Sequence, residues 1–133
     1  MKTNYLALLA CGVANALLGM GWFGIFADKW MAGHGITQEM VDGMEYPGVA
    51  YGLSFAVALV TAWILNWLFQ RMRVQDWLDG AKTGALIGTF GLMGTLVGNM
   101  FALKSWDLSL VDGGFILLQF AVFGAILGGW QKQ

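Results

Sequence analysis

What this chain lacks is charge. Of its 133 residues only 11% are Asp, Glu, Lys or Arg, against about 25% in a typical soluble domain. The segments Tyr5–Ala27, Tyr46–Gln70, Thr83–Leu103 and Gly113–Gln131 contain none of these four residue types. A soluble chain this short leaves much of its surface in water and has nowhere to hide four such stretches. The other scarcities are exclusions too. One cysteine, Cys11, permits no intramolecular disulfide and no cysteine-based zinc site, and reads as a small apolar filler. One histidine, His34, is too little for a metal or acid–base site unless other side chains converge on it. A net charge of -1 offers no basic patch for nucleic acid.

What is present is apolar. Hydrophobic residues make up 58% of the chain, with nine Phe and seven Trp. Each charge-free stretch is about as long as the roughly 20 residues that cross a bilayer as a helix. The expectation is an all-α, integral membrane four-helix bundle, a single domain over residues 1–133 with spans at about 5–27, 46–70, 83–103 and 113–131. The first stretch is longer than the h-region of a secretory signal, which predicts a retained helix.

Four spans put both termini and the middle connection on one side. That side carries Lys2, Arg71, Arg73, Lys82 and Lys132, and the other only Lys29 and Lys104. Counting Lys and Arg near span ends places both termini in the cytoplasm of a multi-pass inner-membrane protein. Asp28, Glu39, Asp42, Glu45, Asp107 and Asp112 then collect outside. In the long outer connection, Thr37 followed by Gln38-Glu39 is an N-cap pattern. It predicts a short outer-loop helix over about Gln38–Asp42, stopped at Gly43. Pro47 suits the first turn of the second span. The segment Arg71–Asp79 reads as an interfacial turn or short amphipathic helix, with Asp79 capping the third span.

Glycine is the second signal, at 20 residues. Gly80, Gly84, Gly88, Gly91, Gly94 and Gly98 recur nearly once per turn of the third span. Gly124 and Gly128 stand four apart in the fourth, and Gly12, Ala16 and Gly19 punctuate the first. Glycine costs roughly 1 kcal/mol per site in a soluble helix, so such a run needs a compensating contact. Small residues four apart supply one by letting helix backbones approach closely in lipid. Spacing alone leaves open whether the seam lies within one chain or between chains.

No ionisable group falls mid-span, which argues against pumps, proton-coupled carriers and voltage sensors. The polar residues within the spans are neutral, chiefly Asn15, Ser54, Asn99 and Gln119. They serve as interhelical hydrogen bonds or as the lining of a polar pathway, and Asn99 and Gln119 are expected to meet across a helix interface. His34 could be joined by Asp42 and Glu45 in a weak cation site, though their spacing matches no known ligand signature. Trp22, Phe23, Phe26 and Trp30 form an aromatic belt or a ligand-binding face. No catalytic set, metal site or cofactor is expected. The partners expected are the lipid bilayer and, through the glycine faces, copies of the chain or a larger membrane complex. A channel or transporter for a small ion or neutral solute is the alternative, and a membrane-embedded enzyme the weakest third.

An ordered set of motifs carries a resemblance. Gly19-Met-Gly-Trp22-Phe23, then Phe26-Ala-Asp-Lys-Trp30-Met31 and Gly35-Ile-Thr37-Gln-Glu39-Met40, resemble the opening of the bacterial membrane family called domain of unknown function 1761. Asp79-Gly80-Ala-Lys-Thr-Gly84-Ala, Lys104-Ser105-Trp106 and Gly124-Ala-Ile-Leu-Gly128-Gly-Trp130 follow in that family's order. At Phe23-Gly24 the chain departs from the family's commoner Tyr followed shortly by Pro, so the turn after the first span is expected to differ. The resemblance implies a small four-helix membrane protein and no activity. Its outer-face blocks contribute Trp22, Phe26, Trp30, Lys104 and Trp106, where function is to be sought.

Overall fold

The computed structural model describes residues 3–131 and is helical throughout, with six helices and no strand among the described residues. Four of them, α1 (Tyr5–Ile25), α4 (Pro47–Met72), α5 (Trp77–Phe101) and α6 (Trp106–Gly129), are long and apolar enough to cross a membrane. Two short helices, α2 (Ala27–His34) and α3 (Gln38–Asp42), occupy the connection between α1 and α4. Because Lys2 and Lys132 lie outside the described residues, the two ends of the bundle are named here by His34 and by Arg71.

Local chemistry sets the helix ends. Asn4, Thr37, Asp76 and Ser105 each accept a backbone N–H of the following first turn, the exchange that makes these residues good N-caps. Pro47 occupies the opening of α4, where its missing N–H leaves no bond unmade. Helix α2 stops at Gly35, whose φ of 68° is left-handed and suits a residue without a Cβ. Helix α3 covers Gln38–Asp42 with Thr37 as its cap and Gly43 at its end, as the sequence predicts. The cap of α5 differs from expectation. Asp76 takes that place, and Asp79 sits one turn inside, where its carboxylate accepts the Gln75 N–H at 3.4 Å. Helices α5 and α6 begin six or seven residues before their charge-free stretches, because a helix continues through the polar interface after the hydrocarbon ends. The segment after Arg71 is a plain turn, with Arg73 left-handed at φ 57° and Val74 buried beneath it.

Helix α6 is the hub. It packs along α5 over most of its length and touches α1, α2 and α4 on its other sides, whereas α5 has little contact with any helix but α6. The α5–α6 seam is made of backbone. A Cβ built on Gly80 would collide with the carbonyl of Gly124, and one on Gly124 with the carbonyl of Gly80. On Gly84 it would strike the Phe120 carbonyl, and on Gly128 the Asp76 carbonyl. Gly88 faces Phe120 and Leu117, Gly91 faces Ile116, and Gly113 faces Leu92. Thus Gly80, Gly84, Gly88, Gly91, Gly124 and Gly128 all find their close contacts inside the chain. Gly12 on α1 does so against Phe55 and Leu59 of α4, while Gly19 has only Phe115 at van der Waals distance. Gly94 and Gly98 have nothing within 4 Å.

The residues buried between α1, α4 and α6 form one apolar cluster that includes Ala7, Cys11, Ala58, Ala62, Leu65, Phe69 and Phe123. It sits toward the Arg71 end. Nearer His34, α4 leans away: every residue from Pro47 to Ser54 is exposed.

These contacts predict a contrast. Gly84→Val forces a side chain into a backbone carbonyl, and overpacking of this kind costs about 1–3 kcal/mol or more; thermal unfolding in detergent should show a clear loss of stability. Gly21→Ala, at a position on α1 with no neighbour within 4 Å, should bring no such loss.

Candidate functional site

Two groups of polar side chains stand out. The first lies at the His34 end and joins three parts of the chain. Helix α2 ends at His34, the α5–α6 turn supplies Lys104, and the second turn of α6 supplies Asp112. Lys104 Nζ lies 2.9 Å from His34 Nδ1, and His34 Nε2 lies 3.0 Å from Asp112 Oδ2. A lysine ammonium has only donors, so Nδ1 accepts from it and the ring carries its proton on Nε2, which donates to the carboxylate. The order is Lys104 to His34 to Asp112. His34 and Asp112 side chains are each 23% exposed, so the chain is half-sheltered at the surface rather than sealed.

Aromatic rings extend this network into the bundle. Trp30 packs on His34 with centroids 4.9 Å apart, Phe23 meets Trp30 at 6.0 Å, and Phe23 meets Phe115 of α6 at 5.0 Å. Trp22 packs on Phe26 at 4.9 Å and donates its Nε1–H to the Val111 carbonyl at 2.8 Å. Gly33 lets α2 lie against Leu108. Of the outer-face residues expected together, Trp22, Phe26, Trp30 and Lys104 all join or adjoin this assembly, whereas Trp106 projects outward and is 60% exposed. The expected company of His34 is corrected: its partner is Asp112, not Asp42 or Glu45. Asp42 instead accepts from Gln38 within α3 at 2.9 Å. No group of three His, Cys, Asp or Glu side chains is close enough to hold a metal among the described residues.

The second group lies within the spans. Gln119 Nε2 donates to Asn15 Oδ1 at 2.8 Å, tying α6 to α1, and Asn15 is buried. Asn99 donates to Ser109 at 3.1 Å, closing the α5–α6 turn. The expected meeting of Asn99 with Gln119 does not occur. Ser109 and Gln119 are ten residues apart on α6, about 15 Å along the axis, so the two amides lie at different depths. Ser54 lies exposed on α4, across a gap from Asn15. That gap, bounded by α1, α4 and α6, is a cavity of about 900 Å³.

Ser109 and the pairing of Asp112 with His34 escape a sequence reading that starts the fourth span at Gly113, just after the charge of Asp112. The signal was available in Ser105-Trp-Asp-Leu, an N-cap with an acid in the first turn. Starting the helix there puts Asp112 two turns inside, where a carboxylate needs a partner.

Four membrane-length apolar helices, with α6 as the hub for the other three, define a small multi-pass α-helical membrane protein. The chain belongs to the family described as protein of unknown function DUF1761, whose match spans residues 6–128. No curated protein and no solved structure matches it.

If the Lys104–His34–Asp112 chain holds α2 against α6, a double-mutant cycle on His34→Ala and Lys104→Ala should give a coupling of about 1 kcal/mol in detergent stability, the usual net worth of a hydrogen bond. Additive effects would mean that the contact holds nothing in place.

Proposed function

We propose that this is a non-catalytic protein of the bacterial inner membrane that works by association, with copies of itself or with the helices of a larger membrane complex. Both termini are cytoplasmic in this reading, which puts His34 outside. Arg71, Arg73 and Lys82 then lie inside, against Lys29 and Lys104 outside, in keeping with the positive-inside rule.

One observation carries the proposal. The glycines of the α5–α6 seam are used within the chain, but two further pairs are not. Gly94 and Gly98 on α5, and Gly48 and Gly52 on α4, are exposed and have no atom within 4 Å of where a side chain would start. Each pair is spaced four apart, the spacing that lets a second helix approach to backbone contact in lipid. A glycine pair left open to lipid bears its conformational cost with nothing to offset it. A closed, symmetric homo-oligomer is the common way to cover such faces.

The alternative, a path for a small ion or neutral solute, has less to rest on. The neutral polar residues pair off as Asn15 with Gln119 and Asn99 with Ser109 rather than forming a file, so a path would have to run between copies. A catalytic role for His34 has less still, because the ring nitrogen that a nucleophile would need is taken by Lys104.

Mass measurement in mild detergent tests the reading. The wild-type particle should exceed the 14.4 kDa chain by a whole multiple, and Gly94→Leu with Gly98→Leu should reduce it to the single chain without loss of helicity. A wild-type monomer that captures no membrane partner would contradict the proposal.

A further inference from the structure

The cavity between α1, α4 and α6 has a chemistry of its own. Its α1 wall runs from Gly12 to Gly24, about 18 Å at 1.5 Å per residue. None of its lining residues is Asp, Glu, Lys, Arg or His. A charge placed there would leave water with no counter-charge to meet it, at a cost of several kcal/mol. The occupant is therefore uncharged. The cavity opens between α1 and the exposed face of α4, where Tyr51, Leu53 and Val57 are more than half exposed, so the occupant enters from the bilayer.

The inner wall holds one polar feature, the Asn15–Gln119 pair. Its hydrogen bond uses one donor of Gln119 and the acceptor of Asn15. Among the described residues the Asn15 Nδ2 donors and the Gln119 Oε1 acceptor make no other hydrogen bond. Neither is sealed away, since no fully buried side-chain polar atom lacks a partner among the described residues. Both residues border the cavity. Reversing both amides exchanges the roles and still leaves one donor and one acceptor free. Asn15 lies ten residues into the 21 of α1, about 15 Å from its start, in the middle of the hydrocarbon. A phospholipid headgroup, held at the interface, does not reach it.

We propose that this cavity binds a long-chain lipid alcohol, an uncharged hydrocarbon bearing a hydroxyl. The hydroxyl donates to Gln119 Oε1 and accepts from Asn15 Nδ2, and the chain lies along the apolar walls. On an uncharged hydrocarbon, a single hydroxyl is enough to satisfy both free positions at once. A ketone or an ether accepts only, and leaves the Gln119 oxygen unpaired in a dry site, where an unmade bond is costly. On an ideal helix Ala50, Ser54 and Ala58 face away from Gly48 and Gly52, whereas Tyr51 and Phe55, at the mouth of the cavity, adjoin them.

The test uses the full chain in lipid nanodiscs with two photoreactive probes, a sixteen-carbon alcohol carrying a mid-chain diazirine and its methyl ether. The alcohol should label α1 and α4 cavity residues at least fivefold more than the ether. Asn15→Leu with Gln119→Leu should bring the alcohol down to the ether's level. Ala16→Phe, which fills the cavity from its wall and keeps both amides in the sequence, should abolish labelling by both. Equal labelling of the wild type by alcohol and ether would overturn the proposal, since the cavity would then be taking any acyl chain. Absence of cavity labelling, as for a water-filled site, would overturn it as well, as would undiminished alcohol labelling in the double variant. The wild-type ratio decides even if the double variant fails to fold.

Discussion

The backbone contact between α5 and α6 is the constraint on which the rest of the structure depends. In lipid, burying apolar surface gives two helices no reason to associate, so dispersion and polar contact between closely apposed backbones must hold them. At Gly80 and Gly124 each helix presents its Cα to the other's carbonyl, the geometry of the weak Cα–H···O contacts found at close helix crossings. Gly84 and Gly128 continue the seam by a turn in either direction. No other residue type fits, because the atom that any side chain begins with already overlaps a carbonyl. The seam is therefore specified by what is missing from four positions.

That seam fixes α5 and α6 as one unit and leaves the other faces of α6 free to organise the remainder. On one side the Asn15–Gln119 bond and the apolar cluster around Phe123 draw in α1 and the Arg71 half of α4. At the His34 end, Leu108 receives α2, Asp112 receives His34, and the Val111 carbonyl receives Trp22. Helix α4 is anchored from Phe55 onward, where Gly12 admits Phe55 and Leu59. Its first two turns, Pro47–Ser54, lean outward, and the cavity is the space this leaves. The position of the cavity thus follows from where small residues permit contact and where they end.

Much of this was legible in the sequence. The charge-free stretches give the four spans because a bilayer penalises charge wherever it falls, a one-dimensional rule that needs no partner. Thr37, Gly43 and Pro47 act through their own backbone, and so they too could be read in place. The glycine run announced a close contact but not its partner, since the same spacing serves a seam within a chain or between chains. Gly48 and Gly52 were passed over because two glycines in a shorter run make a fainter pattern than six. The site was less legible. Lys104, Trp30 and Trp22 were expected on one face, but the pairing of His34 with Asp112 joins residues 78 apart in sequence, and only the docking of α2 on α6 brings them together. Asn15 was legible as a neutral polar residue within a span, whereas its pairing with Gln119 rests on the register between α1 and α6.

Whether the glycine seam is internal to one chain can be read from a single disulfide. A Cβ built on Gly129 lies 2.8 Å from that of Trp77, close enough for a bridge after a small shift. In a Cys11→Ser background, Trp77→Cys with Gly129→Cys should oxidise to a bridge within one polypeptide, leaving the protein at the monomer position on a non-reducing gel and joining the α5 and α6 peptides after proteolysis. Bridging that appears only as a covalent dimer, or no bridging at all, would contradict the account.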